Sequence, residues 1–133
     1  MVRSGLAAIL VLLAVVSVRG ASSERLTHRE YVARATAVCH EMTGSMLSLA
    51  TGSRDAEYRR SGVFVRRAVK KLKRLSPPIA DEGQHDVLTD ALAHVAQILD
   101  DYPPLNRDAA ERRLFVVHTS SKSLGIRTGC GSG

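Results

Sequence analysis

Three side chains able to share one cation stand on successive turns of a single segment: Asp86, Asp90 and His94, at i, i+4 and i+8. On a helix their oxygens and imidazole would converge on one side, a donor set that suits a hard or borderline divalent ion. No second cluster of His or carboxylates supplies the missing ligands, so a solvated acidic face is the plainer reading and an envelope enzyme or metal-binding protein built on it the alternative one. Cys39 beside His40 suggests a thiolate nucleophile. Adjacent helical residues point about 100° apart, however, which leaves His40 poorly placed to take the thiol proton. His28, His40, His85 and His118 are scattered among polar neighbours, and no Ser-His-Asp order, glycine-rich phosphate loop, CxxC pair or zinc spacing is present. The sequence calls for no catalytic residue, metal or cofactor.

The strongest charged feature is a run from Arg54 to Arg74, where nine cations face only Asp55 and Glu57. On a helical wheel Arg59, Arg60, Arg66, Arg67, Lys70, Lys71, Lys73 and Arg74 crowd one arc, broken only by Val63. Like charges at i,i+4 cost a few tenths of a kcal/mol per pair, so helix propensity alone did not select this face. It suits docking on an anionic surface such as phospholipid headgroups or a cell-wall polymer; a solvated face partly balanced by an acidic third helix is the competing reading.

Four amphipathic segments must carry these groups. Thr27 with Glu30 forms a capping box, and Leu26 with Tyr31 a hydrophobic staple, so the first helix starts there. Its stripe is Tyr31, Ala35, Val38, Met42, Met46 and Leu49, with Cys39 alongside. The second helix, about Ser53 to Leu75, should bury Tyr58, Val65, Ala68, Val69, Leu72 and Leu75. Pro77-Pro78 ends it, and a third helix begins near Asp81, with Asp81 and Gln84 as a second capping-box candidate. Leu88, Leu92, Val95, Leu99 and Tyr102 make its stripe, opposite Asp86, Asp90, His94 and Asp101. After Pro103-Pro104, with Asn106 or Asp108 as cap, the fourth helix buries Ala110, Leu114, Val117, Ser121 and Leu124 and stops at Gly125. Phe115 and Val116 lie off that stripe, leaving open a second buried side or an exposed Phe115. The three tyrosines, Tyr31, Tyr58 and Tyr102, all read as core or core edge. Such segments favour an all-α, four-helix antiparallel up-down bundle.

The N-terminus fixes the expected compartment. A positive start (Met1-Val2-Arg3), an apolar stretch from Gly5 to Val18 and the small-residue site Val18-Arg19-Gly20 make residues 1–20 a secretory signal peptide, with one domain over 21–133. The apolar stretch falls short of the roughly 20 residues a bilayer span needs, although a retained anchor is the competing reading. A secreted or cell-envelope location follows, and there two cysteines most simply form one disulfide. A tail folding back from Gly125 can reach Cys39; intermolecular pairing and free thiols are the other options. Removing Arg3 and Arg19 from the net charge of +6 leaves about +4. With aromatics at 4% and no Trp, the chain lacks a stacking platform for single-stranded nucleic acid or sugar, so neither is an expected partner.

The stretches LTHREYVARATAVCHEM, LSPP and LGIRTGCG resemble a group of small, uncharacterised exported helical proteins of actinobacteria. The likeness covers the first helix and both ends of the mature domain, and departs in the Gly131-Ser132-Gly133 extension. It implies that Cys39 and Cys130 are paired structural cysteines and that Leu124-Gly125 is a helix stop, and it implies no activity. The resulting expectation is a non-enzymatic, disulfide-tied binding module, monomeric or weakly oligomeric.

Overall fold

In the computed structural model, which describes residues 24–49, 54–100, 107–127 and 129–130, the chain runs through α1 (His28–Leu47), α2 (Arg54–Lys73), a 3-10 turn (Ile79–Asp81), α3 (Glu82–Asp100) and α4 (Arg107–Leu124). The signal-peptide reading of residues 1–20 lies outside the described residues, as do Tyr102, the Asn106 cap and Asp101. Among the described residues there is no strand, and no helix is long and apolar enough to cross a membrane.

The capping box forms as expected: Glu30 N donates to Thr27 Oγ1 at 3.2 Å and Thr27 N donates to Glu30 Oε2 at 3.1 Å. Just before it, Leu26 N donates to the Ser76 carbonyl at 2.9 Å, which sets the start of α1 beside the end of α2. The entry to α3 differs from the expected Asp81–Gln84 box. A single 3-10 turn, closed by Asp81 N donating to the Pro78 carbonyl at 2.9 Å, leads into the helix one residue later. Asp81 turns its carboxylate to His28 Nδ1, 2.6 Å away.

The four helices form the antiparallel up-down bundle. Fully buried Tyr31, Val65, Leu72, Leu88, Leu92, Val117 and Leu124 form its centre, each large side chain contributing about 1.5–3 kcal/mol of transfer free energy. At Gly62 the axes of α2 and α3 run close: a Cβ there would stand 3.0 Å from Asp100 Oδ1 and 3.4 Å from Leu99 Cβ. Two expected core positions fail. Tyr58 is 39% exposed and Leu114 43% exposed, because both point toward a gap between α1 and α4. Phe115, left open by the sequence, is exposed at 70%, while Val116 packs against the core.

That gap follows from how the bundle closes. α1 packs on α2, α2 on α3 and α3 on α4, but α1 and α4 do not pack closely along their length. The tail does the joining. α4 ends in a Schellman motif: Gly125 takes φ +88°, its N–H donates to the Lys122 carbonyl at 3.1 Å, and Ile126 N donates to the Ser121 carbonyl at 2.9 Å. Ile126 is thereby buried against the core. The chain then runs along α1 from the Val32 level, where a Gly125 Cβ would be 3.7 Å from Val32 Cγ2, to a disulfide between Cys39 and Cys130 with Cα atoms 4.9 Å apart. At Gly129 the φ is +98° and an added Cβ would lie 2.8 Å from Cys39 Cβ, so no side chain fits. Thr43 Oγ1 completes the joint, 2.7 Å from the Gly129 carbonyl and 3.0 Å from the Cys39 carbonyl.

The bridge closes a sequence separation of 91 residues. In the chain-entropy treatment, a loop of that size corresponds to about 4–5 kcal/mol. The double variant Cys39→Ala/Cys130→Ala should lose stability of that order in urea unfolding at neutral pH; a loss under about 1 kcal/mol would mean the tail is held by packing alone.

Candidate functional site

Arg59, Arg60, Arg66, Arg67, Lys70, Lys73 and Arg74 are exposed on the solvent side of α2, and Lys71 is half-buried at its edge. The helix is amphipathic for a plain reason: Val65, Ala68, Val69 and Leu72 occupy the arc that faces α1 and α3, which leaves the basic positions outward. Neighbouring helices hold both flanks of the arc. Arg66 pairs with Asp100 of α3, and Lys71 Nζ reaches both oxygens of Glu41 on α1, at 2.8 and 2.6 Å. The Lys71 hydrogen bond and charge hold the Glu41 carboxyl below its ordinary pKa. Arg67 stacks over the Phe64 ring, its guanidinium 5.8 Å from the centroid. Arg59, Arg60, Lys70, Lys73 and Arg74 have no ion-pair partner among the described residues.

The other candidates come together less. Asp86, Asp90 and His94 are exposed along α3, and no three His, Cys, Asp or Glu side chains among the described residues assemble to hold a metal ion. Cys39 is fully buried and spent in the disulfide, so it offers no thiolate.

His85 is the residue whose environment the sequence did not reveal. It is buried beside α1, and its Nδ1 lies 2.8 Å from the Tyr31 hydroxyl, with the rings edge to face at 5.5 Å. Burial, together with the charges of Asp81 and Asp86, pushes the Tyr31 phenol up to about 12. Burial pulls the His85 imidazole down, against the opposing pull of Asp86 and Glu82. Both groups are thus held neutral near pH 7, as a tie between α1 and α3. Around it, Arg25 Nη1 donates to Glu82 Oε1 at 2.8 Å and to the Pro77 carbonyl at 3.1 Å. The only early signal was positional: His85 falls three residues before Leu88 and seven before Leu92, on the edge of their stripe.

The gap between α1 and α4 is a groove of about 900 Å³. Its floor is Val65, Leu92 and Val95, and Met42 and Met46 wall one side. The exposed apolar residues Leu47, Tyr58, Leu114 and Phe115 all open onto it, so one structural cause accounts for four surface hydrophobics that would otherwise look unrelated. Gly129 marks the point where the tail takes over the seam.

No protein-family model, curated protein or solved structure matches the chain.

The depressed His85 pKa has a definite sign. The folded state takes up that proton at lower pH than the unfolded chain, whose His titrates near 6.5, so stability falls as pH drops below about 6.5 and keeps falling until the folded value is passed. Melting temperature should therefore decline between pH 7 and 5.5, and His85→Gln, which keeps an acceptor for Tyr31 but no titrating ring, should flatten that decline. An equally steep decline in the variant would assign it to other groups.

Proposed function

We propose that this chain is an exported, non-enzymatic binding module of the cell envelope or extracellular space, which docks to anionic surfaces through the exposed face of α2. The observation that carries this reading is the outward basic arc. Arg66 and Lys71 are committed to Asp100 and Glu41, and the other cations of the arc point to solvent. Each cation brought near a charged surface contributes about 1 kcal/mol at low ionic strength, whereas an exposed ion pair on the protein's own surface contributes at most that. Docking is therefore competitive with the solvated state for those other cations and less so for Arg66 and Lys71.

Export is supported by the apolar N-terminal segment with its basic start and by the Cys39–Cys130 bridge, which belongs in an oxidising compartment.

The protein should be retained by a heparin column at low salt and elute as ionic strength rises and the Debye length shrinks below the side-chain reach. Arg60→Glu/Arg67→Glu, two exposed positions, should weaken retention sharply while leaving helicity unchanged. Passage through the column unretained at low salt would end the docking reading.

A further inference from the structure

We infer that the α2 face is a track for a linear, phosphate-bearing polymer laid lengthwise along the helix; this rests on the docking reading and deepens it by naming the shape and chemistry of the partner. Three features of the face point that way.

The first is periodicity. Arg60, Arg67 and Arg74 are spaced seven residues apart, as are Arg59, Arg66 and Lys73. At 1.5 Å per residue each row places a cation about every 10.5 Å, and seven residues bring the side chain back to within about 20° of its starting direction. The rows run together along the helix for about 22 Å from Arg59 to Arg74. A chain with regularly repeated charges matches this layout, and most of the cations are guanidinium groups, whose planar fork suits phosphate oxygens.

Breadth is the second. From Lys73 round to Lys71 the cations cover about 160° of the wheel at 100° per residue. A flat bilayer touches a narrower strip of a rigid helix, so its edges would be left unused. A flexible strand can settle between the rows.

The third is the lack of an apolar anchor. Helices that lie in a membrane interface sink Trp, Phe or Leu into the acyl boundary. In α2 the apolar arc is committed to the bundle core, and within the basic arc only Val63, at 45% exposed, offers apolar surface. Of the other exposed large hydrophobics, Leu47, Tyr58, Leu114 and Phe115 open onto the groove between α1 and α4, and Ile79 and Val87 lie beyond α2, in the 3-10 turn and on α3. The chain's low aromatic content and lack of Trp favour a polymer without bases, since base recognition along a strand relies on stacking.

The test is a binding titration of the mature, disulfide-intact protein against long-chain inorganic polyphosphate, tripolyphosphate, orthophosphate, anionic phosphatidylglycerol vesicles and a single-stranded oligonucleotide, all at equal phosphate concentration. Long-chain polyphosphate should bind tightest and outcompete the vesicles, with log K falling against log salt at a slope of about −3.5 if about five phosphates are neutralised. Arg60→Gln/Arg67→Gln should weaken it roughly 30-fold, at about one cation's contribution each, and Arg112→Gln/Arg113→Gln on α4 should leave it unchanged. Tight binding to vesicles, with polyphosphate no better than orthophosphate, would overturn the linear partner while the docking reading stands. Preference for the oligonucleotide would overturn the base-free polymer. Binding to none of the probes at low salt would remove both.

Discussion

The Cys39–Cys130 bond carries the closure of this bundle, because the bundle has three close helix interfaces and needs a fourth. α1 and α4 stand too far apart to interlock. The short tail after Gly125 fills the upper part of that seam, and its position requires a left-handed turn at Gly125, burial of Ile126, a side-chain-free residue at Gly129 and the covalent link at Cys130. Each of these depends on the next. Without the bond, the tail would have to hold α1 by Ile126 and the Thr43 hydroxyl, and ordering irregular chain costs roughly 1–2 kcal/mol of backbone entropy per residue.

The same arrangement accounts for the apolar groove and for the basic face. Where the tail stops, the seam stays open as the apolar groove, and residues that a closed bundle would bury, Tyr58 and Leu114, reach solvent. α2, like α3, has two close neighbours, in its case α1 and α3. It is fixed by Val65, Ala68, Val69 and Leu72 inside and by the Glu41 and Asp100 pairs at its edges. That combination lets it present a dense row of like charges without losing helicity, since its stability comes from burial and not from its own surface. The Tyr31–His85 tie and the Arg25–Glu82 and His28–Asp81 pairs secure the end where α1 and α3 both begin.

Much of the fold was legible in the sequence because it rests on local rules. Thr27 and Glu30 announce a helix start by side-chain chemistry alone, Gly125 announces a stop, and the three- and four-residue spacing of Leu88, Leu92 and Val95 gives the buried face of α3. The basic arc was legible for the same reason, since a single helix wheel defines it. What failed depends on relations between helices. Tyr58 and Leu114 occupy proper stripe positions, and only the separation of α1 from α4 exposes them. His85 looks like one more scattered polar residue until α1 brings the Tyr31 hydroxyl to it. The tight crossing at Gly62 and the closed space at Gly129 likewise exist only once two segments meet. Asp81 was assigned a capping role by its spacing to Gln84, but tertiary contact with His28 and a 3-10 entry prevailed.

The measurement that bears most directly on the central claim is the intact mass of protein produced in an oxidising compartment, denatured without reductant and treated with a thiol alkylating agent. The account predicts a monomer carrying no alkyl group, two hydrogens lighter than the reduced chain, and a peptide joining the Cys39 and Cys130 segments after proteolysis. Two alkylated thiols on properly folded material from that compartment, or a dimer linked through either cysteine, would contradict it.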